Sequence, residues 1–210
     1  KHNFKPKFMK KYFVLLVLLS TFSFVKAGEP IRYGVVGGMN VSSLKMDGAD
    51  NRLGFHLGGK AELALPSNFF LEGSLLFTQK GYKSKNYINA DQNPGKRNLS
   101  NYYLELPVHL GYKLAVARDW SLLVSGGAYL GYGLFGKGKR KVAGTSNSTN
   151  LYKKHSGDKR FDAGLGLKAG VEFKQKIQLT ASYDWGLLKA NKHSKDAKNR
   201  NVMISVGYLF

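Results

Sequence analysis

The segment Phe161–Phe173, FDAGLGLKAGVEF, is the stretch of sequence that decides the fold. Its alternate residues form two sets of opposite character. One set is apolar throughout: Phe161, Ala163, Leu165, Leu167, Ala169, Val171 and Phe173. The other set holds only glycines and charged residues: Asp162, Gly164, Gly166, Lys168, Gly170 and Glu172. Because successive side chains of a β-strand point to opposite faces, the segment predicts a strand with one wholly apolar face.

The same alternation recurs along the rest of the chain. It is found at residues 32–41, 53–65, 69–80, 102–113, 120–135, 177–187 and 201–210, which with the first segment gives eight predicted strands. Several are ten or more residues long, whereas strands of soluble domains average about five or six. A tilted strand needs about 9–11 residues to cross a bilayer. The strand lengths therefore favour a protein that spans a membrane.

The predicted connections alternate between short and long. Short turns are expected at 66–68, 115–119 and 174–176, and long polar stretches at 42–52, 81–101, 136–160 and 189–201. An even number of antiparallel strands with this pattern is the plan of an outer-membrane barrel. The apolar face would contact lipid, where only helices and closed barrels satisfy the backbone, and the other face would fill a narrow lumen. We therefore predict an all-β fold: an eight-stranded antiparallel transmembrane β-barrel with short periplasmic turns and long extracellular loops.

A soluble barrel that encloses a ligand is the main structural alternative. It would turn the apolar set inward and leave the glycines as a poor coat towards water. The aromatic residues argue against this arrangement, because many of them stand near the ends of the apolar faces, as Trp120, Phe173 and Tyr208 do. Such positions are typical of the aromatic girdles at the two membrane interfaces.

The N-terminal region has the pattern of a secretory signal peptide. From Met9 the chain reads MKKYFVLLVLLSTFSFVKA, with two lysines directly after the methionine, then an apolar run, and a small residue at its end. The run is shorter than the roughly 20 apolar residues of a transmembrane helix, which is the alternative interpretation. We expect an upstream extension at 1–8, a signal peptide at 9–27 and the barrel domain at 28–210. The absence of cysteine excludes disulfides and thiolate metal sites.

Several segments resemble the PorT-like outer-membrane β-barrel family of Bacteroidota. They include FLEGSLLFTQKGYK, NYYLELPVHLGYKL and FDAGLGLKAGVEF, and the most specific motifs are the run at 103–107 and Gln-Lys-Gly at 79–81. The resemblance implies an eight-stranded barrel in the cell outer membrane. It also implies that the terminal Phe210 is part of the signal that the barrel-assembly machinery recognises. The founding member is linked to protease secretion through the type nine system, so an accessory role in that machinery is an alternative function.

The predicted lumen contains a balanced set of charges. Lys80 and Lys113 belong to it, together with Arg32, Lys60, Glu62, Glu72, Glu105, His109, Asp162, Lys168, Glu172 and Asp184. Because an unpaired buried charge costs several kcal/mol, we expect a paired network that holds the wall together. A small gated channel is the alternative. His56 and His109 are expected to be hydrogen-bonded lumen histidines, since no spacing motif supports a metal site or a general base.

Two short glycine motifs match the dinucleotide-binding fingerprint. They lie at 131–136 and 164–169. That site needs a glycine turn before a helix, whereas the strand alternation runs straight through both matches. We therefore predict no catalytic, cofactor-binding or metal-binding residues. An outer-membrane enzyme that modifies lipid or cleaves protein stays an alternative, because catalytic groups need not be neighbours in sequence.

Excess positive charge is concentrated in the predicted extracellular loops. The formal net charge is +20, and the predicted basic loop contains Lys137, Lys139, Arg140, Lys141, Lys153 and Lys154. Such residues are either solvated or in contact with anionic lipopolysaccharide. Nucleic acid is not an expected partner of a secreted chain. The sequence thus predicts a non-enzymatic outer-membrane barrel with a structural or surface-interaction role, whose partners are membrane lipid, lipopolysaccharide and the assembly machinery.

Overall fold

The structure is a computed structural model that describes residues 31–44, 50–88, 94–142, 145–150, 159–189 and 198–210. The predicted extension at 1–8 and signal peptide at 9–27 lie outside these residues. The strands are β1 (Ile31–Leu44), β2 (Arg52–Ala64), β3 (Phe69–Ile88), β4 (Pro94–Ala117), β5 (Trp120–Val142), β6 (Thr145–Asn150), β7 (Phe161–Phe173), β8 (Ile177–Lys189) and β9 (Lys198–Leu209). In this described part of the chain, no helix is long and apolar enough to cross a membrane.

Eight of the strands close into a barrel. All pairings are antiparallel, and the strands follow one another in the order β4-β3-β2-β1-β9-β8-β7-β5, with β4 paired to β5. The ring therefore has no free edge. β6 lies outside the ring, as an added strand on β5. The predicted fold class, an eight-stranded antiparallel barrel, is confirmed.

The two faces of each strand differ as the sequence alternation predicts. In β9, Asn201, Met203 and Ser205 point into the lumen and are buried, whereas Val202 and Ile204 point outward and are 43% and 60% exposed. In β7, the glycines and charged residues point inward. The outward apolar side chains therefore form the surface that contacts lipid.

The short turns all lie at one end of the barrel, together with the two ends of the β-domain. In the β2–β3 turn Ser67 and Asn68 have φ of 60° and 64°, and in the β7–β8 turn Lys174 and Gln175 have φ of 48° and 57°. Two successive residues with positive φ make a type I′ turn, whose twist matches that of the flanking strands. These tight hairpins mark the periplasmic end.

At the opposite end, three strands continue beyond the barrel rim, and β6 pairs with one of them. The described parts of the predicted loops at 81–101 and 136–160 are mostly strand, because β3 runs to Ile88, β4 starts at Pro94, β5 runs to Val142 and β6 covers Thr145–Asn150. We call residues 81–88, 94–101, 136–142 and 145–150 the protruding sheet. This corrects the prediction of loops at these positions. The sequence signal failed there because a sheet outside the membrane needs no apolar face.

Candidate functional site: the charged lumen and the protruding sheet

The periplasmic end of the lumen is filled by a cluster of four charged side chains. Lys113 Nζ lies 2.6 Å from both Glu62 Oε1 and Glu172 Oε2. Arg32 pairs with Glu62 and lies 3.5 Å from Glu172, and it also donates to the carbonyl of Gln175 in the β7–β8 turn. Both carboxylates are almost fully buried, so their desolvation is offset by two cations each.

Gln178 on β8 connects this cluster to the next one. Its Nε2 donates to Glu172 Oε2 at 2.6 Å and to Glu62 Oε2 at 3.0 Å, and its Oε1 accepts from Lys60 Nζ at 2.5 Å. Lys60 also pairs with Glu72 at 2.6 Å, and Glu72 in turn pairs with Lys168. One continuous hydrogen-bonded network therefore joins strands β1, β2, β3, β4, β7 and β8.

A second group lies nearer the extracellular end. Lys80 and Glu105 form a close ion pair in which both side chains are buried, although the pair lacks the alignment of a good hydrogen bond. The Lys80 ammonium stands 4.6 Å from the centre of the Tyr129 ring. Asp162 accepts from Asn199 Nδ2 at 2.8 Å and from Tyr129 Oη at 3.3 Å. Lys80 and Glu105 belong to the sequence motifs at 79–81 and 103–107, so the fold brings these two motifs into contact.

Between the two groups lies a polar cavity of about 40 Å³. His56, His109, Lys168 and Asp184 are among its lining residues. His56 Nε2 contacts Ser205 Oγ at 2.8 Å, but the other ring nitrogen of His56 and both ring nitrogens of His109 have no hydrogen-bond partner among the described residues. The expectation of a hydrogen-bonded lumen histidine is therefore met by a described side chain for His56 but not for His109. The cavity has room for a few water molecules that could serve these atoms.

Among the described lumen residues, one histidine–serine pair can be compared with the site of a hydrolase. The pair of His56 and Ser205 has the contact that an activated serine needs, yet the second nitrogen of His56 has no acidic partner to orient the ring. Both residues are also buried in the lumen. No group of three or more His, Asp or Glu side chains in the described ranges is placed to hold a metal ion.

The structure places the predicted lumen residues in two groups rather than one. The lower network, towards the periplasmic end, contains Arg32, Lys60, Glu62, Glu72, Lys168 and Glu172. The upper group, towards the extracellular end, contains Glu105 and Asp162. Asp184 and His109 line the cavity and form no ion pair among the described contacts. Sequence analysis missed Gln178, Tyr129 and Asn199 as partners. Gln178 and Tyr129 are buried on the inner face, and only the register between strands shows which charges they meet.

The predicted basic loop is split by the structure. Lys137, Lys139, Arg140 and Lys141 lie on β5 in the protruding sheet, and Lys137 and Lys139 are exposed. Lys153 and Lys154 lie outside the described residues. This correction changes the expected distances between the basic residues, because a strand holds them at fixed spacings, whereas a loop lets them move apart.

The register of the protruding sheet opposes like charges. Lys96 pairs with Lys141, and Arg97 pairs with Arg140. The four segments of the sheet contain eight basic residues and no acid. Like charges at directly opposite positions destabilise a sheet.

Comparison with known proteins identifies the family. A family model described as outer membrane protein beta-barrel domain matches residues 21–190. The chain belongs to this family. No curated protein matches the sequence.

Solved structures of outer-membrane barrels are similar to this outer membrane beta-barrel domain. Ail of Yersinia pestis, in complex with the heparin analogue sucrose octasulfate, is 22% identical, with 86% of this chain and 99% of that chain covered and a TM-score of 0.44. Neisserial surface protein A is 14% identical over 87% and 100% of the two chains, with a TM-score of 0.49. OprG from Pseudomonas aeruginosa is 14% identical over 87% and 97%, with a TM-score of 0.47.

The family membership and the barrel geometry together give the location. An outer membrane beta-barrel domain spans the cell outer membrane, so its outward apolar residues contact lipid. The aromatic pairs lie at the two ends of this surface. Trp120 and Phe173 are in contact at the periplasmic end, with ring centres 4.8 Å apart. Phe77, Tyr102 and Phe135 cluster at the extracellular end.

Proposed function

We propose that this barrel is a non-enzymatic surface protein that binds anionic groups of the cell envelope through its protruding sheet. The observation that carries the proposal is the register in which Lys96 is paired with Lys141 and Arg97 with Arg140, in a sheet whose four segments contain no acid. A polyanion laid across the strands would relieve this repulsion. The lumen network supplies the structural part of the role, since it ties six strands of the wall together.

A narrower family relationship forms part of the proposal. The motifs at 79–81 and 103–107 resemble those of PorT-like barrels of Bacteroidota, and the Lys80–Glu105 ion pair gives them a shared structural task inside the lumen. Because the pair connects β3 and β4 inside the lumen, the motifs support a common barrel architecture. A role in type nine secretion would need a partner surface, and none of the contacts described above points to one.

The proposal is tested by measuring how the folded barrel in detergent binds dextran sulfate and neutral dextran. We expect binding of dextran sulfate only, with an affinity that falls steeply as salt rises, because salt screens exposed charges over about 8–10 Å. The double variant R97Q/R140Q should bind dextran sulfate more weakly. Equal binding of the two polymers, or binding insensitive to salt, would contradict the proposal.

A further inference from the structure

The two faces of the protruding sheet carry different basic residues. On β4, positions 99 and 97 alternate in step with the lumen residue Tyr103, and positions 100, 98 and 96 alternate in step with the lipid-facing Tyr102. The pairing Arg97↔Arg140 therefore belongs to the inner face, and the pairing Lys96↔Lys141 belongs to the outer face. Lys137 and Lys139 share the outer face, since they pair with Ser100 and Asn98.

The inner face is partly covered by the protein itself. Tyr82 and Leu99 are buried there, and Leu44 of β1 packs against them. The outer face has no such cover in the described part of the chain: Lys137 and Lys139 are exposed. Lys83 also lies on this face, but its backbone bonds to that of Asp50, so an acid stands beside it. The outer lysines at 96, 137, 139 and 141 have no acid at a paired position.

Directly below these lysines lies a cluster of outward-facing rings. The centroids of Phe135 and Tyr102 are 4.6 Å apart, those of Tyr102 and Phe77 are 5.6 Å apart, and Phe55 extends the cluster at 6.2 Å from Phe77. Phe135 precedes Lys137 by two residues on β5, so the ring and the lysine are neighbours on the same face. The rings lie in the aromatic girdle, where acyl chains give way to polar head groups.

We propose that this outer face binds a phosphorylated glycolipid of the outer leaflet. The acyl chains would pack on Phe55, Phe77, Tyr102 and Phe135, and the phosphates would pair with the lysines immediately above. Neighbouring lysines along β5 are roughly 6.8 Å apart and paired residues on β4 and β5 roughly 5 Å apart, which allows one phosphate to contact more than one ammonium. The inference rests on the proposed function and makes it specific, because it names one face and one source of anion.

The test uses matched pairs of charges on the two faces. Folded wild-type barrel in detergent, K137Q/K139Q and R97Q/R140Q are compared for binding of diphosphorylated lipid A and of dextran sulfate. We expect K137Q/K139Q to bind lipid A about tenfold more weakly, because each lysine near an anionic lipid surface contributes several-fold. R97Q/R140Q should keep lipid A affinity within about twofold of wild type. Heat-dependent migration on a gel verifies that each variant is folded.

A second pair of variants tests the aromatic part of the site. Phe135→Ala should weaken binding of lipid A but not of the soluble, deacylated head group, and Trp185→Ala on β8 should change neither. If R97Q/R140Q reduced lipid A binding as much as K137Q/K139Q, or if Phe135→Ala had no effect, the lipid site would be refuted while the proposed function stood. If wild-type protein bound neither lipid A nor dextran sulfate at low salt, both would be refuted.

Discussion

Gln178 shows how a single neutral side chain can determine the packing of a charged lumen. Its amide faces two carboxylates with its donors and one ammonium with its acceptor, so all its polar atoms are used. A charged residue at this position would repel one side of the network. Two neighbouring ionic clusters can therefore share the narrow lumen without repulsion between their like charges.

Replacing Gln178 with leucine tests this role. The change removes one partner each from Lys60, Glu62 and Glu172, all within the barrel, and leaving such groups under-satisfied costs about 1–3 kcal/mol or more. We expect a lower free energy of unfolding in a urea titration of the folded barrel in detergent. Gln79→Leu is the control, because Gln79 lies outside the lumen network and donates to Tyr102 Oη. Equal stability of the two variants would contradict the connecting role.

Gly166 packs closely against two of the side chains that line the cavity. A Cβ added there would lie 2.7 Å from Asp184 Oδ1 and 3.1 Å from His109 Nε2, whereas a Cβ added at Gly73 would meet nothing within 4 Å. We expect Gly166→Ala to destabilise the barrel by about 1–3 kcal/mol, as overpacking does, and Gly73→Ala to be close to neutral. Thermal unfolding followed by circular dichroism measures both changes. A neutral Gly166→Ala would show that the lining residues move freely.

At the scale of strands, the sequence predicts the membrane-spanning part better than the rest. β7 was predicted with the bounds that it has, because its apolar and glycine faces alternate along its whole length. β5 was predicted to end at residue 135 but runs to Val142, since GKGKRKV has no apolar face to mark a strand. There the backbone pairing with β4 continues without a hydrophobic pattern. Which lumen charges meet was also not predictable, because it depends on the stagger between strands.

β9 is the strand on which the assembly hypothesis rests. Its neighbour Phe210 is 74% exposed on the lipid side, its amide donates to Tyr33 at 2.9 Å, and its ring lies 5.7 Å from that of Tyr208. We predict that Phe210→Ala lowers the amount of folded barrel in the membrane fraction. Phe161→Ala is the control, since Phe161 is also an exposed aromatic residue at a strand end. Equal levels of the two variants would remove Phe210 from the assembly signal.

The whole molecule separates three environments along one axis. The tight turns and the lower charge network lie at the periplasmic end, the apolar wall spans the bilayer, and the basic sheet extends beyond the other rim. Each environment selects its own residues: glycine and paired charges inside, aliphatic and aromatic residues outside, lysine and arginine above. The proposed function depends on this order, because the basic sheet can reach envelope anions only if it lies at the cell surface.

The orientation of the barrel can be measured directly, because the chain contains no cysteine and a single introduced cysteine is the only thiol. Lys139→Cys lies on the exposed outer face of the protruding sheet, and Ser67→Cys lies in a tight turn at the opposite end. On intact cells, a membrane-impermeant maleimide should label Lys139→Cys at once and Ser67→Cys only after the outer membrane is permeabilised. Labelling of Ser67→Cys on intact cells, or protection of Lys139→Cys until permeabilisation, would contradict the topology and the function proposed from it.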